Sequence, residues 1–170
     1  KETLKLQHLV SYPLKNKTIL ISIVSVFFVF QLVVPFSYLA YPNELFWTEE
    51  GYRFSWRVML MEKNALTTFK IVNAKSGSYF YVDNSDFLTA FQAKQMSSQP
   101  DFILEYAHFL GDHFKSQGHQ NIEVYAESYV SLNGRPSQPY INTTVNLYKE
   151  IESFKPKNWL LPFNDAIKGL

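Results

Sequence analysis

The 170-residue sequence contains no cysteine. No disulfide can therefore stabilise the fold, and no thiol redox chemistry is available to it. Charge is sparse and balanced, because 16 basic and 15 acidic residues leave a net charge of +1. Nucleic-acid binding depends on a basic surface, so the composition gives no electrostatic reason to expect a nucleic-acid partner.

Charged residues are missing altogether between Lys17 and Glu44. The core of this gap, residues 19–38, reads ILISIVSVFFVFQLVVPFSY. A helix rises about 1.5 Å per residue, so about 20 apolar residues cross roughly 30 Å of hydrocarbon with every backbone group hydrogen-bonded. We predict a transmembrane helix over residues 19–41 that kinks or ends near Pro35, with Tyr38 and Tyr41 at the headgroups.

A signal peptide and a buried core helix are the alternatives to a span. A signal peptide has an apolar region of about 7 to 15 residues followed by a small-residue cleavage site. This run is longer and offers only Tyr38-Leu39-Ala40 as such a site. A core helix needs a polar face, whereas only three serines and one glutamine interrupt residues 19–38. Length and the lack of charge favour the span.

The flanks of the span predict its orientation. Four lysines and a single acid precede it, and the first charges after it are Glu44, Glu49 and Glu50. Because positive flanks stay in the cytoplasm, we predict a cytoplasmic flank over residues 1–18 and an extracytoplasmic domain, lumenal or periplasmic, over residues 42–170. The chain begins with Lys1 rather than Met, so we expect it to be a piece of a longer protein.

Patterning after the span predicts strands, one helix and a further strand. Alternation over residues 66–72 and 78–82 predicts a hairpin, and residues 54–61 are interpreted as another strand, although they could also begin a helix. Residues 98–118 show helical periodicity, with a capping box that starts at Ser98. Residues 123–132 alternate again and end at an Asn-Gly turn. This order predicts an α+β domain, an antiparallel sheet with one main helix packed on a face.

Two groups of side chains contain residue types that can support catalysis or metal binding. Glu105, His108 and Asp112 fall on one face of the predicted helix at a spacing that suits a metal ion. That face lies opposite the apolar stripe, so solvated side chains are the favoured interpretation and no metal site is expected. Glu49 and Glu50 are adjacent, and sequence neighbours usually point apart, so we do not interpret them as an acid–base pair. We expect no catalytic residue in this chain.

The segment WTEEGYRFSW, residues 47–56, concentrates aromatic residues just beyond the predicted span. One interpretation is an interfacial belt that also seats the domain on the lipid. The other is a recognition surface, because rigid aromatics and arginine dominate binding hot spots. Arg57 and Arg135 would then attract an acidic peptide.

Four strings carry a resemblance to a known family. They are WTEEGYRFSWRVMLMEK at residues 47–63, FYVDN at 80–84, SLNGRPSQ at 131–138 and WLLPFNDAIKGL at 159–170. Together they resemble the carboxy-terminal part of bacterial relatives of vitamin K-dependent gamma-carboxylase, which carry the horizontally transferred transmembrane (HTTM) region. The resemblance covers nearly the whole chain and makes the predicted span the last helix of a larger membrane bundle.

The resemblance implies a lyase that oxygenates reduced vitamin K, or another quinone. The strong base so formed removes a proton from a peptide glutamate before carbon dioxide adds. The family's catalytic lysine lies in the membrane half, so no lysine of this chain is expected to take that role, and no cofactor is expected to bind these residues alone. The chain would supply a peptide-binding surface next to the missing transmembrane helices. Candidate substrate contacts are Trp47, Tyr52, Ser55, Trp56 and Arg57. The alternative is a non-catalytic binding or structural module anchored in the membrane.

Overall fold

The computed structural model describes residues 16–57, 59–165 and 167, so most of the predicted cytoplasmic flank lies outside the described residues. The chain divides into two compact units, Lys1–Val34 and Pro35–Leu170. The described part of the first unit is helix α1, Lys17–Val33, which buries none of its side chains. The helical stretch Lys17–Ala40 is long and apolar enough to cross a membrane. An exposed, apolar helix of this kind fits the predicted membrane span.

The regular α-helix ends just before Pro35. Residues Val34–Ala40 continue as a 3-10 helix. Proline lacks the backbone N–H that an α-helix needs for its hydrogen bonds. The predicted change near Pro35 is therefore confirmed.

A four-stranded antiparallel sheet forms the centre of the second unit, with strand order β2-β1-β3-β4. The strands are β1 Lys63–Asn73, β2 Tyr79–Val82, β3 Ile122–Leu132 and β4 Gln138–Pro139. Strands β1 and β3 pair along their whole length, from Lys63 opposite Leu132 to Asn73 opposite Ile122. The predicted hairpin and the predicted strand over residues 123–132 are confirmed. The turn after β3 has both central residues at positive φ, as an Asn-Gly hairpin turn requires.

Two helices cover one face of this sheet and enclose the core. Helix α3, Ala90–Ser98, packs on β1, and helix α4, Pro100–Ser116, packs on β3. Alternate side chains of each strand point towards them, and the Phe69 ring meets Tyr106 edge-on at 5.1 Å between centroids. Helix α2, Leu45–Thr48, is a single buried turn that precedes β1. The α+β class is confirmed.

The predicted start of the main helix is wrong. Ser98 is the last residue of α3, a helix that was not predicted, and α4 begins at Pro100. The capping box lies at the start of α3, where Thr89 and Gln92 cap each other. Helix α3 spans only nine residues, so its hydrophobic periodicity is weak, and its capping pair was the stronger signal.

The strand predicted over residues 54–61 is also wrong. The described residues of this segment contain a 3-10 turn, Tyr52–Phe54, followed by bends, and Val58 lies outside them. Trp56 and Met59 have φ angles of 56° and 61°. A left-handed residue cannot continue an extended strand, so the alternating pattern is interrupted twice.

Candidate functional site

The five predicted substrate contacts lie on α2 and on the segment that joins α2 to β1. We call this segment, residues 49–62, the exit loop, because it follows the membrane-length helix in the chain. Tyr52, Ser55, Trp56 and Arg57 belong to the exit loop, and Trp47 belongs to α2. These five side chains differ in burial, from the fully buried Trp47 to the exposed Trp56.

Trp47 is a core residue with no exposed surface. Its Nε1 donates to the Leu161 carbonyl at 2.7 Å, and its ring lies 4.8 Å from Tyr140 and 4.9 Å from Phe163 between centroids. A side chain enclosed in this way offers no surface to a peptide. Trp47 instead ties α2 to the closing segment of the domain.

A buried lysine holds the beginning of the exit loop. The Lys63 ammonium donates to the Trp47 carbonyl at 2.7 Å, to Glu49 Oε1 at 2.6 Å and to the Tyr140 hydroxyl at 3.2 Å. Burial lowers the pKa of Lys63, and the neighbouring Glu49 carboxylate opposes that shift. Burial also raises the pKa of Tyr140 well above its usual value. We call Lys63, Glu49 and Tyr140 the lysine cluster.

The adjacent acids do point apart, as expected. Glu49 joins the lysine cluster, whereas Glu50 is buried and accepts from the backbone N–H of Lys157 and from the Asn43 side chain. Glu50 thereby connects the exit loop to residues 151–158. Both carboxylates are engaged in holding the loop in place.

Gly51 and Arg57 fix the exit loop against Tyr38. Gly51 has a φ of 75°, and a Cβ added there would lie 2.7 Å from the Tyr38 Cα, so only glycine fits. Arg57 Nη2 donates to the Tyr38 hydroxyl at 2.9 Å, and its guanidinium lies 4.5 Å above the Tyr38 ring and 5.9 Å from the Phe46 ring. Two aromatic rings therefore set the direction of this cation.

Tyr52, Ser55 and Trp56 complete the loop. The Ser55 hydroxyl is buried and donates to the Tyr52 carbonyl at 2.8 Å, which closes the 3-10 turn. Tyr52 is half-buried against Phe46, and burial together with the Glu49 carboxylate raises its pKa. Trp56 is 66% exposed, and its backbone adopts a left-handed φ angle. The two tryptophans of the segment thus have opposite environments.

The three arginines of the chain differ in their partners. Arg53 pairs with Asp101 at 2.6 Å, and Arg135 pairs with Asp165 at 2.8 Å. Among the described residues, no carboxylate pairs with Arg57. Among the described residues, Arg57 thus differs from Arg53 and Arg135 in having no ion-pair partner.

The sequence matches one known protein family. Residues 16–166 match the family described as vitamin K-dependent gamma-carboxylase, lumenal domain. The chain belongs to this family. No curated protein matches the chain, and no solved structure matches it. The family match and the apolar helix together indicate a membrane protein with an extracytoplasmic, carboxylase-like lumenal domain.

Two of the three side chains that share one face of the main helix have other contacts in this lumenal domain. His108 Nε2 lies 2.9 Å from the Glu150 carbonyl, and Asp112 accepts from the Tyr148 hydroxyl at 2.7 Å. In the part of the chain that the structure describes, no group of three or more His, Asp or Glu side chains is arranged to hold a metal ion.

An aromatic groove of about 570 Å³ lies between α3 and α4 of the lumenal domain, a feature that sequence reasoning missed. Its walls include Phe87, Phe91, Phe102 and Phe109, and Tyr106 lies at its base. The Tyr106 hydroxyl is buried without a hydrogen-bond partner among the described residues. Burial raises the Tyr106 pKa to about 12, with a further contribution from Asp86 and Asp83.

Sequence reasoning located the exit loop but missed the residues that hold it. Tyr38 contacts Arg57, and Lys63 contacts Glu49 of the loop. Tyr140 contacts Lys63 and the Trp47 carbonyl. Tyr38, Lys63 and Tyr140 come from three separate parts of the chain. Lys63 lies inside the string that carries the family resemblance, yet its spacing does not reveal that its ammonium points inward. The pairing of β1 with β3 and the Tyr140 contact decide that.

Proposed function

We propose that this chain is the extracytoplasmic, substrate-facing part of a carboxylase-like membrane enzyme, with the amino-terminal flank in the cytoplasm and residues 42–170 outside it. The lysine-rich flank before α1 and the acidic residues after it support this orientation. The family match supports the carboxylase-like character of the domain. The reacting quinone, reduced vitamin K or a related molecule, is assigned to transmembrane helices of the same protein outside this chain.

Arg57 is the proposed anchor for a glutamate carboxylate of the peptide substrate. Its guanidinium matches a carboxylate with two parallel N–H donors, and it has no carboxylate partner among the described residues. The Tyr38 and Phe46 rings orient it, which lowers the entropy lost when a ligand binds. This oriented and unpaired cation is the observation that carries the proposal.

Three of the other four predicted residues take supporting roles. Tyr52 is half-buried on the same turn and is proposed as a second contact to the peptide. Trp47 and Ser55 are buried and are proposed as positioning residues that hold the turn through Leu161 and Tyr52. Their substitution would act through the loop rather than through a lost substrate contact.

The test uses the complete protein in membranes with reduced vitamin K, labelled bicarbonate and a glutamate-containing peptide. A hydrogen bond to a charged group contributes about 1.5–3 kcal/mol, so Arg57→Gln should raise the KM for the peptide about ten- to a hundredfold. Because the chemistry is assigned to the membrane half, kcat should change little.

Arg53→Gln is the matched control. Arg53 lies four residues away and is paired with Asp101, so its substitution should leave the KM within about twofold. Equal KM values for the two variants would refute the role of Arg57. If the intact wild-type protein incorporates no label while reduced quinone is present, the non-catalytic binding module becomes the better account.

A further inference from the structure

A group of large apolar side chains is exposed at one end of the lumenal domain. Met59 and Phe154 are 93% and 96% exposed, and Phe54, Trp56 and Leu60 are also exposed. We call these five residues the apolar rim. Scattered single hydrophobic residues are ordinary on a protein surface, whereas five on two neighbouring loops require an explanation.

The two loops of the apolar rim meet the same short segment of the chain. Arg57, which follows Trp56, donates to the Tyr38 hydroxyl at 2.9 Å. The Tyr41 hydroxyl donates to the carbonyl of Phe154 itself at 2.9 Å. Tyr38 lies near the end of the apolar stretch Lys17–Ala40, and Tyr41 directly follows it. Both loops of the rim are therefore held beside the point where the chain leaves the membrane.

Backbone conformation adds a second reason to look for a covering partner. Trp56 and Met59 both adopt left-handed φ angles, which are unfavourable for large side chains. Such strain persists where the surrounding structure imposes it, and it concentrates at sites of function. Close contacts of Gly51, Ser55 and Lys63 hold the chain on both sides of these two residues, whose large apolar side chains are exposed.

We propose that the apolar rim inserts into the interfacial region of the bilayer leaflet from which the chain emerges. Tryptophan, methionine and phenylalanine suit this region, where an apolar body can leave water. Insertion would seat the domain on the membrane and hold the Arg57 guanidinium at the lipid surface. The inference rests on the membrane-spanning role of the apolar stretch Lys17–Ala40 and not on carboxylase activity.

The natural tryptophans supply the probe. Of the three in the sequence, Trp47 and Trp159 are buried at 0% and 3% exposure, so Trp56 alone is open to lipid. The full chain is reconstituted in phosphatidylcholine vesicles, with the acyl chains either unmodified or brominated near the carbonyl end. Bromine quenches the fluorescence of a tryptophan that it contacts. Between unmodified and brominated vesicles, the wild type should therefore lose at least about twice the fraction of its tryptophan emission that Trp56→Phe loses.

A matched control places tryptophan at an equally exposed position far from the rim. Tyr79 is 58% exposed and pairs with Val72, near the end of β1 opposite Lys63, about 30 Å away along the strand. The double variant Trp56→Phe with Tyr79→Trp should lose no more emission than Trp56→Phe alone.

Quenching of Trp56 no greater than that of the Tyr79→Trp control, with unchanged circular dichroism, would overturn the proposal. If Trp56→Ala instead raised the peptide KM while Trp56 stayed unquenched, Trp56 would be a peptide contact. Failure of the Arg57 prediction leaves the quenching result unaffected, so the two proposals can fail separately.

Discussion

Two buried tyrosines should respond in opposite directions to the same chemical change. Tyr140 is fully buried, and its hydroxyl donates to the Trp47 carbonyl at 2.8 Å and accepts from the Lys63 ammonium at 3.2 Å. Tyr106 is 6% exposed, and its hydroxyl has no hydrogen-bond partner among the described residues. Tyrosine to phenylalanine removes only the hydroxyl in each case, so packing is nearly unchanged.

The expected free energies follow from these partners. Tyr140→Phe loses one neutral hydrogen bond of about 1 kcal/mol and one to a charged group of about 2 kcal/mol, so unfolding should become easier by about 3 kcal/mol. The hydrogen bond from the Lys63 ammonium to the Trp47 carbonyl remains in this variant, which limits the loss of stability. Tyr106→Phe removes a buried hydroxyl that gains nothing in the folded state, so it should stabilise the domain by about 1 kcal/mol.

Thermal unfolding of the full chain in lipid nanodiscs would measure the difference. At about 4 °C per kcal/mol for a domain of this size, the two variants should differ in Tm by about 16 °C. Tyr81→Phe serves as a control, because Tyr81 is exposed and its substitution should change the stability by less than about 0.5 kcal/mol. A Tm that falls equally for Tyr106→Phe and Tyr140→Phe would refute the assignment of hydrogen-bond partners.

Three further predictions concern stability. Folding raises the pKa of Tyr106 from 10.0 to about 12, so the unfolded chain loses this proton at a lower pH than the folded domain. The free energy of unfolding should therefore fall as the pH rises from about 10 to about 12. In melting experiments over this pH range, the fall should be less steep for Tyr106→Phe than for the wild type. Gly111→Ala should destabilise the domain by about 1–3 kcal/mol, although alanine favours helices, because the added Cβ would clash with the Tyr148 ring. In a double-mutant cycle, Tyr148→Ala should remove this penalty. Additive effects of the two substitutions would contradict the proposed clash. Lys63→Met should lower the free energy of unfolding by about 3–5 kcal/mol, because it leaves the Glu49 carboxylate unpaired. The control is Lys70→Met on the same strand, where the lysine ammonium lies over the Tyr79 ring, and it should lower the free energy of unfolding by less than about 1 kcal/mol. Similar losses for the two variants would refute the stabilising role of the lysine cluster.

Periodicity and turn chemistry were enough to predict most of the sheet and the main helix. Strand β3 alternates without interruption and ends at an Asn-Gly pair, and α4 carries a continuous apolar stripe. These signals are local, because each depends on residues within one element. Helix α3 was not predicted because it is short and its hydrophobic periodicity is weak. The strand predicted over residues 54–61 was wrong because Trp56 and Met59 adopt left-handed φ angles, which an alternating sequence pattern does not reveal.

The candidate site divides in the same way. Composition alone identified the aromatic segment that follows the apolar helix, and the family resemblance is confirmed by the match over residues 16–166. Composition does not separate Trp47 from Trp56, which lie nine residues apart. The first is buried because Leu161 and Tyr140, distant in sequence, close over it, and the second is exposed because no described part of the domain covers it.

The sequence by itself therefore determined the membrane-length helix, the family and the order of the main strands and main helix, since hydrophobic length and period act over short stretches of chain. Only the tertiary structure decided which charges are paired. Glu49 and Lys63 are 14 residues apart, and Arg53 meets Asp101 across 48 residues, whereas Arg57 is left facing aromatic rings. Burial and pairing depend on contacts between distant segments, so the roles of these residues appear only once the chain is folded.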